Sequence, residues 1–335
     1  MIKSPYSLNK KIYLSSDKSI FFYKKLFYIR TVEELIAKEY KKKIFKTPTH
    51  LSIGQEAIPV GIINNLSKYD KIYCSHRAHA HYLSSNGSLY KLFCELMGKR
   101  DGCSGGKGGS VHLTSKKNGF MGSLPILGES IGLAVGAALS LKIKKTKNIA
   151  VCFFGDAVLE EGIFYETLNF AIIKNLPVLF ILENNFFASE MSIEERLGKF
   201  SNYQKKLSGF NINYEKIDGN NIDEVYNKSK KAINLIKKKI TPIFLECVTY
   251  RILEHCGPNY DNLENKNKRS ESEVLHWKKA CPLLNLKSYL INLKKIKLNF
   301  IEKIEKKIIK KINLDYNRAL QSKFPNKKEL YSHVY

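Results

Sequence analysis

Hydrophobic positions along this 335-residue chain fall into two kinds of run. Short blocks of mostly consecutive apolar residues at 71–75, 149–154, 177–182, 213–217 and 243–250 read as strands. A strand buried on both faces shows no polar alternation. Between and around them, apolar residues recurring every three or four positions predict helices over 19–43, 55–66, 88–97, 129–142, 162–174 and 223–239. Strands alternating with helices point to an α/β fold with a mostly parallel sheet and crossover helices on both faces. An N-terminal helix over 16–45 and a helical extension over 271–335 are expected to flank it. In that extension Leu293, Ile301, Ile304, Ile308 and Ile312 predict one apolar face, with Lys303, Lys306, Lys307, Lys310 and Lys311 on much of the rest. Such a helix packs on the body of the protein. The length allows two domains or one large unit. With no repeat and no low-complexity linker, a single domain over 1–335 is expected.

Composition changes this picture little. At 44% hydrophobic and 26% charged residues the chain is ordinarily globular, which excludes disordered and collagen-like classes. The seven cysteines are odd in number, form no CxxC pair and sit mostly in apolar runs such as Val151-Cys152-Phe153. That usage suits a reducing, cytoplasmic setting. The apolar patch at 20–23 is interrupted by Lys24 and Lys25 and lacks a signal-peptide profile. The stretch 124–139 carries Glu129 and is too short for a membrane span. The net charge is +25, yet only seven of the 56 basic residues are Arg. Nucleic-acid readers lean on the Arg fork, so dispersed lysines describe a solvated surface and weigh against a basic nucleic-acid or membrane binder.

Glycine marks two further places. The run Gly102-Cys103-Ser104-Gly105-Gly106-Lys107-Gly108-Gly109-Ser110 reads as a loop whose bare backbone admits a close neighbour. It does not match GxxxxGK[ST], because Gly108 follows Lys107. Gly128, Gly132 and Gly136 recur every four residues on one predicted helix and point to dense packing there, against another helix or at a subunit contact.

In open parallel sheets, ligands bind beyond the carboxyl ends of the strands. Here the strand at 149–154 runs into Gly155-Asp156, and the strand at 177–182 runs into Glu183-Asn184-Asn185. With one crossover helix between them, Asp156 and Asn185 can meet at one sheet edge. A carboxylate, a carboxamide and a nearby main-chain carbonyl suit Mg²⁺, which shares its sphere with phosphates. The N–H groups opening the crossover helix favour a phosphate as well.

Gly155-Asp156, 28 intervening residues and then Asn185 resembles the thiamine diphosphate motif. Further segments fall in the order found in one family: Thr49-His50-Leu51-Ser52-Ile53-Gly54-Gln55-Glu56-Ala57, His76-Arg77-Ala78-His79, Gly106-Lys107-Gly108-Gly109-Ser110-Val111-His112, Gly162 with Leu176-Pro177-Val178, and Thr249-Tyr250-Arg251 followed by His255. Over roughly 20–285 the chain resembles the alpha subunit of thiamine diphosphate-dependent 2-oxo acid dehydrogenases of the pyruvate, branched-chain and acetoin types. The resemblance implies the thiamine diphosphate-binding fold, with Asp156, Asn185 and the backbone of Phe187 as Mg²⁺ ligands. It implies that Arg77, with His76 beside it, meets the diphosphate, that N–H groups near Ala157 and Val158 complete its cradle, and that the backbone of Leu127 meets the aminopyrimidine. His255 matches a histidine that touches the diphosphate and orders a loop; His50 matches one that lines the substrate channel and aids proton transfer. An imidazole suits that work because its pKa lies near neutrality. His79 stays open between function and structure, while His81 and His112 read as structural.

Two departures bear on these expectations. The third motif residue is Ala157 in place of glycine, which is costly if that position needs positive φ and mild if it does not. His76 stands where a tyrosine is common. The resemblance also implies that the glutamate acting on the aminopyrimidine comes from a separate beta subunit, in a heterotetramer of two alpha and two beta subunits. The implied reaction is oxidative decarboxylation of a 2-oxo acid, with acyl transfer to a lipoyl group on an acyltransferase. A non-oxidative thiamine enzyme of split transketolase-like or synthase type is the alternative.

Overall fold

The structure, a computed structural model, describes residues 12–198, 202–259 and 269–332. The parts of the expected 1–335 domain at 1–11, 199–201, 260–268 and 333–335 lie outside the described residues. The chain opens with helix α1 (Ser16–Tyr40), capped by Ser15, whose side chain accepts from the Lys18 amide at 3.4 Å. This helix ends five residues before the expected 45, and Lys43 has φ of 56°. Then follow α2 (Ala57–Ile63), strand β1 (Lys71–Cys74), α3 (His79–Ser84), α4 (Leu89–Leu96), β2 (Phe120–Ser123), α5 (Glu129–Ile143), β3 (Ala150–Gly155), α6 (Gly162–Ile173) and β4 (Val178–Asn184). A small hairpin, β5 (Phe187–Ala188) and β6 (Met191–Ser192), leads into α7 (Ile193–Leu197) and α8 (Tyr203–Ser208). After β7 (Asn213–Asp218), α9 (Ile222–Lys239) and β8 (Ile243–Val248), the described chain closes with α10 (Glu271–Lys279), α11 (Pro282–Asn292) and α12 (Leu298–Gln321).

Six strands form one sheet in the order β2-β1-β3-β4-β8-β7, and every neighbouring pair is parallel. The apolar runs conceal a period of two. Val151, Phe153, Leu179, Ile181 and Leu245 enter one core with α1, α2 and α9, whereas Ala150, Cys152, Phe154, Val178, Phe180 and Leu182 enter a second with α5 and α6. Both faces are covered, so strand side chains are apolar in either direction. Truncating a fully buried residue such as Phe153 to alanine would cost roughly 3–5 kcal/mol.

The expected strands are present, the short hairpin strands β5 and β6 are additions, and so is β2 in the main sheet. The β2 sequence, Phe-Met-Gly-Ser, is short and contains a glycine, so it carries no strand pattern. In the C-terminal region Ile301, Ile304 and Ile312 are buried as expected, but Leu293 is 72% exposed because it caps α11 rather than belonging to α12. Of the glycines every four residues, Gly128 is the N-cap of α5 and is pressed by Ile163 and Glu161, while nothing lies near Gly136. Dense packing along that face is thus confined, within the described chain, to its first position. All seven cysteines are free. Among the described residues no helix is long and apolar enough to cross a membrane.

Candidate active site

The chain visits β2 on one side of β1 and then crosses to β3 on the other. That reversal opens a crevice beyond the carboxyl ends of β1 and β3. A cleft of about 260 Å³ lies there. Ser75, His76 and Arg77 line it after β1, Gly155, Asp156 and Ala157 after β3, and Glu183, Asn185 and Phe187 at the end of β4. Gly155 pairs with Glu183 across the β3–β4 ladder, which fixes how these ends align.

Asp156 is buried and begins a 3₁₀ turn, Asp156–Glu160. Burial pushes its carboxyl above the usual range, opposed by Arg196 of α7, whose guanidinium bridges Asp156 and Glu160. Asn185 donates to Gln55 Oε1 at 3.2 Å and accepts from the Phe187 amide at 3.2 Å, so its carboxamide is held from both ends. Phe186 between them takes a left-handed φ of 69°. The adjacent Asn184 turns the other way, donating to Glu246 Oε1 at 2.8 Å. Asp156 offers an anionic oxygen and Asn185 an amide oxygen, donor types that suit a hard divalent cation; Arg196 occupies one Asp156 oxygen and would have to yield it to such an ion.

Ala157 also lines the cleft and is not among the residues with positive φ. Its methyl therefore carries no conformational penalty. The Val158 side chain packs into the core under α5 and α6 and is not part of the cleft wall. Leu127 lines the cleft beside Pro125.

The loop bearing His50 and the loop bearing His255 are tied together by backbone. Ile252 donates to the Ile53 carbonyl at 3.2 Å and Gly257 to the Thr49 carbonyl at 2.9 Å. Gly54 permits this approach: its φ is +101°, and a Cβ there would lie 2.7 Å from the Tyr250 carbonyl. Arg77 completes the tie, donating to the Leu51 carbonyl at 2.7 Å and the His255 carbonyl at 3.1 Å. Three imidazoles thereby converge, with ring centroids 4.4 Å apart for His50–His76, 5.0 Å for His50–His255 and 5.2 Å for His76–His255. Burial together with cationic neighbours, Arg77 foremost for His76 and His255, pushes His50 down to about 2 and the other two down to about 3. All three are neutral at physiological pH. Burial also lowers Arg77 to about 10, which leaves it charged.

Three further histidines lie outside the cleft wall. His79 is buried, 2.8 Å from Ser110 Oγ and 3.4 Å from Glu33 Oε2. His81 meets Glu183 Oε1 at 3.1 Å; burial disfavours its charge, but Cys74 and Glu183 outweigh that and lift it to about 10. His112 is exposed.

Three contributors escape the sequence reading. Gln55, with a buried Nε2 that has no partner, sits one residue before Glu56 in a segment already singled out. Glu183 lies two residues before Asn185 and both lines the cleft and anchors His81. Arg196 reaches Asp156 across 40 positions with no pattern to announce it.

The glycine-rich loop approaches a residue of the chain itself. The amides of Ser104 and Gly106 donate to Glu95 Oε2 at 2.7 and 3.0 Å, and those of Gly108 and Gly109 to Oε1 at 2.7 and 3.0 Å. A Cβ at Gly102 would collide with this carboxylate. The wrapped loop carries Val111 to the cleft wall.

A parallel sheet with a cleft at its switch point, walled by these motifs, points to one family. The chain belongs to the dehydrogenase E1 component family, which matches residues 24–328. Its relatives include subunit alpha of the acetoin:2,6-dichlorophenolindophenol oxidoreductase of Bacillus subtilis (strain 168), 32% identical over 322 residues that cover 96% of this chain and 95% of that protein. The pyruvate dehydrogenase E1 component subunit alpha of Rickettsia felis is 31% identical over 327 residues, covering 97% and 98%. Chloroplastic subunit alpha-3 of the same component from Arabidopsis thaliana is 31% identical over 333 residues, covering 98% and 76%.

Proposed function

We propose that this chain is the alpha subunit of a heteromeric 2-oxo acid dehydrogenase, which holds thiamine diphosphate and Mg²⁺ in the cleft and is completed by a beta subunit. The observation that carries this reading is the delivery of Asp156 and Asn185 by adjacent parallel strands to one cleft that also holds Arg77. Asp156, Asn185 and the peptide carbonyl of Phe187 would hold the Mg²⁺. Arg77 would bind the diphosphate: two of its five N–H donors serve carbonyls, which leaves others for an anion. His76, His255, Leu127 and the backbone of Ala157 and Val158 would line the rest of the cofactor's bed.

When bound, thiamine diphosphate supplies the nucleophilic carbon and the electron sink that decarboxylation requires. His50 and His255 hold or move protons at their ring nitrogens. Burial, and after it the cationic neighbours, depress their basicity in the free cleft. An anion beside them works in the opposite direction, bringing an imidazole closer to the range useful for proton transfer. Glu183, paired with His81, balances the charge of Arg77 from the far wall.

The glutamate that acts on the aminopyrimidine belongs, in this reading, to the beta subunit, and two copies of each subunit form the assembly. A lipoyl group on an acyltransferase takes the acyl product. Free cysteines support a reducing, cytoplasmic setting.

The test is decarboxylation of a 2-oxo acid by the purified chain with and without its beta subunit, together with calorimetric binding of thiamine diphosphate and Mg²⁺. Turnover is expected only in the assembled protein. Substantial turnover by the chain alone refutes the shared site, and no Mg²⁺-dependent cofactor binding by the assembly refutes the reading altogether.

A further inference from the structure

The imidazoles of His50, His76 and His255 come from three separate segments, yet one ring nitrogen from each falls within 4.8 Å of the others. Three imidazoles around an open position are the donor set of catalytic-type zinc sites. Tetrahedral coordination at Zn–N distances of about 2.0–2.1 Å sets ligand nitrogens about 3.3 Å apart, so modest ring rotations close the gap. All three residues line the cleft, which leaves room for a fourth ligand. His50 Nδ1 is buried and has no hydrogen-bond partner among the described residues, so coordination would satisfy an orphaned atom. We propose that His50, His76 and His255 together bind one borderline divalent metal ion of the Zn²⁺ class, and that this ion competes with the cofactor by engaging His76 and His255, side chains of the cofactor's own bed.

The depressed basicity of the three rings supports the site, because neutral imidazole is the ligand form and no proton competes for it near neutrality. Arg77 and Arg251 oppose a cation there, while Glu183, which also lines the cleft, partly balances Arg77. Soft and borderline ions are separated from Mg²⁺ by ligand type: nitrogen donors here, oxygen donors at Asp156 and Asn185. Only the competition with the cofactor rests on the function proposed above; uptake of the metal does not.

The experiment titrates the full chain, freed of metal by dialysis against a chelator, with ZnCl₂ by calorimetry and with CoCl₂ by visible absorption. One ion per chain and the intense band of tetrahedral Co²⁺ are expected. His50→Gln, His76→Gln and His255→Gln should each weaken uptake at least about tenfold. Variants are compared only where their unfolding midpoints match the parent, and the spectrum of the unaltered chain needs no variant. No saturable uptake, a purely octahedral Co²⁺ spectrum, or uptake unchanged in all three variants would overturn the metal site. Added thiamine diphosphate and Mg²⁺ should displace the ion; full retention beside bound cofactor would overturn the competition. Metal uptake in a chain that binds no cofactor supports the histidine site and tells against the proposed function.

Discussion

Asp156 directly follows Gly155, and Asn185 stands two residues past Glu183, the partner of Gly155 in the parallel β3–β4 ladder. Register alone therefore brings a carboxylate and a carboxamide to one cleft, without a dedicated loop to aim them. Asp156→Ala should weaken Mg²⁺-dependent binding of thiamine diphosphate by more than about 100-fold, beyond the loss usual for outer-sphere partners. Isothermal calorimetry at fixed Mg²⁺ measures it; unchanged affinity would remove Asp156 from the ligand set.

Ala157 stands where the motif carries glycine, at negative φ. Ala157→Gly should leave cofactor affinity unchanged and lower stability by about 0.5–1 kcal/mol, the usual cost of freeing the unfolded backbone. Denaturant titration reports the stability change. A marked gain in affinity would show that the methyl obstructs the phosphate.

Four backbone amides converge on the buried Glu95 carboxylate. Glu95→Gln replaces an anion that accepts on both oxygens by a carboxamide that accepts on one. It should cost about 3 kcal/mol, visible as a lowered unfolding midpoint. A midpoint equal to the parent's would mean that the loop keeps its shape by other means.

His50, His76 and His255 are held far below the 6.5 of an unperturbed imidazole. Below that value the unfolded chain takes up protons that the folded chain refuses, so this contribution favours folding above about pH 6.5 and is lost as the pH falls. His81 has the opposite shift, and its unfolded form completes protonation over this same window, so one ring offsets only a small part of the effect of three. Unfolding free energy should fall between about pH 6.5 and 5, before carboxylates titrate. The fall should be shallower in His76→Gln. An equal slope in the variant would show that His76 is protonated in the folded chain.

The sheet was readable from sequence wherever strands are apolar on both faces, as in β3, β4 and β8. It was unreadable at β2, where four residues with a glycine pair along β1 through tertiary context alone. The metal-type donors were legible because they sit at strand ends, where position in sequence nearly equals position in space. The convergence of His50, His76 and His255 was not, since it depends on two loops bonded backbone to backbone and on a glycine at φ +101°. Arg196 was hidden for a similar reason: only the turn after β4 folds α7 back over Asp156. The glycine-rich run announced a close neighbour without identifying it, and the neighbour is Glu95.

That carboxylate belongs to α4, and α4 rests on α12, where Phe93 and Tyr316 stack edge to face with centroids 5.5 Å apart. Lys107, at the crest of the same loop, grips the carbonyls of Glu329 and Ser332 near the end of the described chain. The wall of the cleft at Val111 is thus riveted to the far C-terminal segment. Trimming that tail would loosen the cleft from a distance, without removing a single residue that lines it.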